Sequence, residues 1–289
     1  MQNFNFKRFF GNNSTNSDSA SKNKRKRGRV CRIEQLEERE MLSVSMGDFD
    51  AIKSQYEDLN LGNFADYNII EVGGAGNQAG GANNNFAFSD TGIRAAIARA
   101  GQTTQNDIIV VRTTATQNKI TLGGTELAIN INAAQYGSVT IVSLGANNLT
   151  IDADQRSRVF NIDENSTVAL GGLTITNGRV ASFGGGIVNC GILTVTGCTI
   201  VGNTATSSIT LSSGGGIYST NTLTITNSTI TGNTATSFSV TANGGGIYSI
   251  STLTITNSTI TGNMASATAT SSSASATGDG VFGGTLTIT

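Results

Sequence analysis

The chain has 289 residues, with 36 glycines, no proline, tryptophan or histidine, three cysteines and 13% charged side chains. Without histidine, Ser/His/Asp and Cys/His nucleophilic sites, histidine-ligated zinc and an imidazole titrating near neutral pH are all excluded. The net charge of −1 is unevenly spread: after Arg179 the only acidic or basic side chain is Asp279, which argues against nucleic-acid binding through that region.

Residues 1–60 read as a basic, largely disordered tail. They carry the run Lys22, Lys24, Arg25, Lys26, Arg27, Arg29 and Arg32, a cluster able to meet an anionic surface or to stay solvated. The segment 32–43, RIEQLEEREMLS, can form an amphipathic helix with Ile33, Leu36 and Leu42 on one side. No stretch approaches the roughly 18 apolar residues that span a bilayer, so no transmembrane segment is expected. A domain is predicted over 66–289. NIIEV at 68–72 supplies its first strand, and the Gly/Asn-rich stretch 73–86 a surface loop. A helix follows over 90–100, capped by Asp90 or Thr91, carrying Ile93, Ala96, Ile97 and Ala100 on one face and stopping at Gly101; it is read as a plug over the first coil.

Short apolar runs come next: IIVV at 108–111, KITL at 119–122, VTIV at 139–142, LTI at 149–151, VFNI at 159–162 and LTIT at 173–176. Among them lies a charged patch, Asp152, Asp154, Arg156 and Arg158, with Asp163 and Glu164 beyond; these read as solvated turn residues with local salt bridges, and Asp152 and Asp154 share a strand face only if the strand persists that far. From 184 onward the sequence repeats. GGGI recurs at 184–187, 214–217 and 244–247, a step of 30 residues, giving repeats 184–213, 214–243 and 244–277 and a partial repeat 278–289. Within a repeat the period is two, Leu223 and Ile225 alternating with Thr222, Thr224 and Thr226, which is strand patterning. A fixed period of this length implies stacked coils joined as parallel strands. Stacking would align Asn203, Asn233 and Asn263 as a structural ladder, and Thr194, Thr196, Thr224, Thr226, Thr254 and Thr256 as an outward array. Cys190 and Cys198 read as small buried residues. The fold class is thus all-β: a single-chain parallel β-helix of about 30-residue coils with one short capping helix. Its last strand, TLTIT at 285–289, stops in the middle of a repeat and leaves an open edge, which reads either as part of a longer repeat protein or as a surface for end-to-end self-association.

Residues 68–262 resemble bacterial right-handed parallel β-helix proteins of the pectin-lyase-like kind. The resemblance rests on the order of strand, loop and helix SDTGIRAAIARA at 89–100, followed by NDIIVV, KITLGGTELAI and GANNLTIDADQRSRVFNI. Gly-Ile-Arg-Ala-Ala-Ile stands where that family has Ser-Leu-Arg-Glu-Ala-Ile. The Gly-Gly-Gly-Ile repeats are similar to those of polymorphic outer-membrane autotransporter adhesins. Segment 32–43 resembles the LEPR-x-LL element of large secreted or surface proteins, with Glu38 in place of its proline and Met41 in place of its first leucine. These resemblances imply an exported, cell-surface or extracellular structural or adhesin-like protein, associated with the outer membrane or released, without catalytic activity, cofactor or metal, and with glycans or cell-surface components as partners. Two alternatives stand beside it. A polysaccharide-active enzyme or glycan-binding module would use the charged patch, since glycoside chemistry needs paired carboxylates. An ice-binding solenoid would use the threonine array, which resembles that of β-solenoid antifreeze proteins.

Overall fold

The computed structural model describes residues 45–73, 84–268 and 274–289; the basic run, segment 32–43 and most of the Gly/Asn-rich loop lie outside them. The described chain winds into an all-parallel β-solenoid of about six turns. In the regular part each coil lays down five short strands, here Ile187–Asn189, Ile192–Thr196, Thr199–Val201, Thr204–Ser207 and Ser212–Ser213. The expected 30-residue register is observed: Leu193 pairs with Leu223 and Leu223 with Leu253, while Ile187 pairs with Ile217 and Ile217 with Ile247.

The strands form walls named here by their place in the coil. A front wall stacks Tyr67–Val72, Asn106–Thr113, Val139–Gly145, Thr167–Gly171, Ile192–Thr196 and Leu223–Thr226. A second wall stacks Lys119–Thr121, Leu149–Asp152, Leu173–Thr176, Thr199–Val201, Thr229–Thr231 and Thr259–Thr261, and a third begins at Arg179–Ala181. Alternate Leu, Ile and Val side chains point inward and form one continuous core from Ile70 to Ile255, while threonine takes the outward positions. Outward threonine suits a pleated surface exposed to water, because its β-branch fits the strand backbone and its hydroxyl stays solvated. The corner after the front wall needs a left-handed residue, filled by asparagine at Asn227 and Asn257; asparagine tolerates that conformation better than other side chains.

The capping helix is present as α2, Asp90–Ala100, with Ile93, Ala96, Ile97 and Ala100 buried against the first coil. Its cap is Ser89 rather than Asp90 or Thr91: the Ser89 hydroxyl accepts from the Gly92 amide at 3.1 Å. Asp90 is instead turned to Arg94 and to the Gly123 amide.

The expected tail boundary moves. Within the stretch read as tail, α1, Met46–Gln55, and a 3-10 turn, Glu57–Leu59, lie on the outside of the front wall. Phe49, Ile52 and Tyr56 pack with Ile108, Val110 and Val142 in a second apolar cluster, separate from the interior core. The physical reason is that IIVV is apolar on both faces and Val142 extends its outward face, and an apolar outer face needs a cover.

Candidate functional site

The asparagine ladder is formed as expected. The Asn203 Nδ2 donates to Asn233 Oδ1 at 2.9 Å, and the Asn233 Nδ2 to Asn263 Oδ1 at 2.9 Å. The same amides donate to the carbonyls of Ile175 and Ile200, and Asn263 to that of Ile230. Each amide oxygen also takes a backbone N–H, of Gly178, Asn203 and Asn233 in turn. The donors and acceptors of Asn203 and Asn233 are therefore spent inside the fold, which leaves neither amide a free group to offer a ligand.

The charged patch does not converge. Its strand ends at Asp152, and Asp154 lies in a left-handed turn with φ 51°, so the two carboxylates do not share a strand face as the sequence suggested. The Asp152 side chain is buried beside Lys119 Nζ at 2.6 Å and accepts from the Asp154 amide and Asn177 Nδ2. Burial opposes its ionisation, but the Lys119 hydrogen bond and the two amide donors outweigh it and hold its carboxyl below the usual range. Asp154 pairs with Arg156 at 3.0 Å in solvent, and Arg158 turns to Glu126 at 3.1 Å. Asp163 and Glu164 lie at another corner, beyond the strand Phe160–Ile162. The patch resolves into three separate local ion pairs, the arrangement of turn residues with local salt bridges that the sequence allowed.

The threonine array is aligned but unequal. Thr194, Thr224 and Thr254 form one half-buried row, continued by Thr287. In the other row Thr196 and Thr226 are buried, and only Thr256 retains partial exposure. Thr196 donates its hydroxyl to Asp58 Oδ2 at 3.2 Å, because the turn after α1 reaches this far along the wall. The accessible hydroxyls are more regular elsewhere: on the second wall Thr150, Thr174, Thr199, Thr229 and Thr259 share one register row, and Thr231 pairs with Thr261.

Cys190 and Cys198 are free thiols. Cys198 is fully buried, which pushes its thiol up to about 12 and makes it an inert packing group; Cys190 is half-buried. Sequence reasoning missed four features. Asp107 is buried and, among the described residues, has no cation within ion-pair range; it accepts from Asn68 Nδ2 at 2.7 Å and Thr103 Oγ1 at 3.0 Å. Burial pushes its carboxyl up to about 6 against those donors. Arg112 sits between Asp48 and the buried Glu71, and its hydrogen bond holds the Asp48 carboxyl down to about 2. Phe183, Tyr218, Tyr248 and Phe282 stack as an aromatic ladder with centroids 4.7–5.3 Å apart. Tyr56 and Asp58 clasp the front wall. The aromatic ladder was legible as Tyr218 and Tyr248 one repeat apart; the other three depend on residues far apart in sequence.

No described helix is long and apolar enough to cross a membrane, and among the described residues no group of three or more His, Cys, Asp or Glu side chains could hold a metal. Compared with known proteins, the chain matches no protein-family profile, no curated protein and no solved structure. The class the fold defines is the parallel β-solenoid.

Proposed function

We propose that the protein is an exported surface or extracellular scaffold whose solenoid serves as a rigid spacer with weakly adhesive, hydroxyl-bearing walls, rather than as an enzyme. The observation that carries this reading is the second wall, where Thr199, Thr229 and Thr259 stand in register in a region whose only acidic or basic side chain is Asp279. Repeated hydroxyls without fixed charge form many equivalent hydrogen bonds and suit neutral glycans more than a single tight site. The likeness of residues 68–262 to right-handed β-helix proteins and of 32–43 to a surface-protein element supports export.

Fractionation of the native host, with mass spectrometry of the mature N-terminus, tests it. Recovery outside the cytoplasm, with processing near Met41–Ser45, is expected; an intact chain confined to the cytoplasm overturns export. Retention on neutral oligosaccharide arrays tests the adhesive walls, and a blank array with unchanged cell attachment on deletion leaves only the spacer.

The same second wall favours one further reading, ice binding, because its threonines repeat about 4.8 Å apart between coils. Thermal hysteresis indistinguishable from buffer disposes of it. Cleavage of a polysaccharide by the wild-type chain, lost in Asp152→Asn, would instead establish the enzymatic alternative.

A further inference from the structure

Residues 45–66 start beside the first coils, reach along the outside of the front wall and return to enter the first strand, Tyr67–Val72. At one end, Ser45 and Asp48 form a capping box at the start of α1, and Asp48 pairs with Arg112 at 2.9 Å. In the middle, the Tyr56 hydroxyl donates to the Ser143 carbonyl at 2.8 Å. Its ring enters a notch made by absent side chains: a β-carbon at Gly172 would overlap the Tyr56 hydroxyl, and one at Gly171 would lie 3.3 Å from the ring. At the far end Asp58 accepts from Thr196 and from Asn227 Nδ2, the latter at 2.7 Å. The segment then turns at Asn60, in the left-handed region, and Phe64 returns to pack edge-on against Phe49 with centroids 5.4 Å apart.

Two facts make this segment separable. Its apolar contacts belong to a cluster that shares no residue with the interior core, the sheet lying between them. Its anchors reach strands distant in sequence, at Arg112, Ser143, Thr196 and Asn227, so the binding surface exists only once those coils are stacked.

We propose that residues 45–66 are a reversible strap: a unit that docks on the completed front wall, latched by Tyr56 in the glycine notch and by Asp48 on Arg112, and able to undock while the solenoid stays wound. Undocked, it uncovers an apolar stripe of Ile108, Val110 and Val142 shaped for a helix, whose occupant is this same segment. Docking of the strap therefore sets the exposure of one wall. Local openings of this kind are the low-stability end of a folded structure.

Hydrogen exchange on the full-length chain tests this. In Tyr56→Ala the amides of 46–59 are expected to exchange about 100-fold faster, as loss of a buried aromatic ring predicts, while those of Leu127–Ile129, Phe160–Ile162 and Ile187–Asn189 on another wall keep wild-type rates. Binding of a dye that reports exposed apolar surface should rise in parallel. Tyr56→Phe, which keeps the ring in the notch, should retain most of the protection. If protection in 46–59 and throughout the core strands is lost together, or if Tyr56→Ala does not fold, the strap is an integral part of the core and the proposal fails. Unchanged protection in Tyr56→Ala overturns the latch.

Discussion

Asp107 and Asp48 give the molecule opposite responses to acid. The native carboxyl of Asp107 titrates at about 6, above the ordinary value of about 3.9, so the native state holds its proton more tightly. Its contribution to stability is full below pH 4 and is lost as pH rises through 6. Asp48 is held at about 2, so its contribution is full above the ordinary value and is lost as pH falls through 2. Melting temperature followed from pH 3 to 8 should therefore fall between pH 4 and 7, and Asp107→Asn should flatten that fall; an unchanged slope in the variant would assign it to another group. In the ladder, Asn233→Ala removes an amide that donates to Asn263 and Ile200 and accepts from Asn203. Stranding those buried partners should cost about 2–3 kcal/mol, read from urea unfolding. Spacing alone announced this ladder, since Asn203, Asn233 and Asn263 recur at the repeat length. It could not announce Asp107, whose partners Asn68 and Thr103 come from different elements.

At the scale of the element, the triple glycines do more than turn the chain. A β-carbon on Gly215 would collide with the Gly245 carbonyl in the next coil and with the Thr234 backbone in its own. The corner is packed backbone against backbone, leaving no flexible side chain to yield. Gly215→Ala should destabilise the C-terminal coils by about 3 kcal/mol, visible as faster exchange in Ile217–Ser219 and Thr234–Ser237 with the first coils unaffected. Helix α1 shows where element-level reading ran short. Its signals were present: Phe49, Ile52 and Tyr56 fall at helical spacing behind Ser45-x-x-Asp48. They lay next to a basic, polar tail, and a single helix face this short has no stability of its own. What decides it is the wall beneath, where Ile108, Val110 and Val142 stand outward at positions that later coils fill first with Ala169 and Gly171 and then with threonine. The charged patch was left open for a related reason: alternation put Asp152 and Asp154 on one face only if the strand continued, and a left-handed turn at Asp154 ends it, leaving local ion pairs.

For the whole molecule, a coil is a modular unit because each contacts its neighbours in the same register. Deleting residues 214–243 joins Ser213 to Gly244, which precedes the same Gly-Gly-Ile-Tyr-Ser sequence as Gly214 does. The shortened chain should fold, with strand content per residue preserved and its length in small-angle scattering reduced by about 4.8 Å. Asn257, which follows Asn227 in the corner row, would then be placed to meet Asp58. Loss of cooperative unfolding in this variant would show that the coils are not equivalent. The sequence by itself determined the parallel solenoid, its 30-residue register and the buried asparagines, because these follow from a local pattern repeated along the chain, and the capping helix, because its apolar spacing is contained within eleven consecutive residues. Only the tertiary structure decided which walls stay open and which are covered, how the charges pair, and that residues 45–66 belong to the fold. Those outcomes depend on contacts such as Tyr56 with Ser143 and Asp58 with Asn227, between segments that become neighbours only when the coils stack.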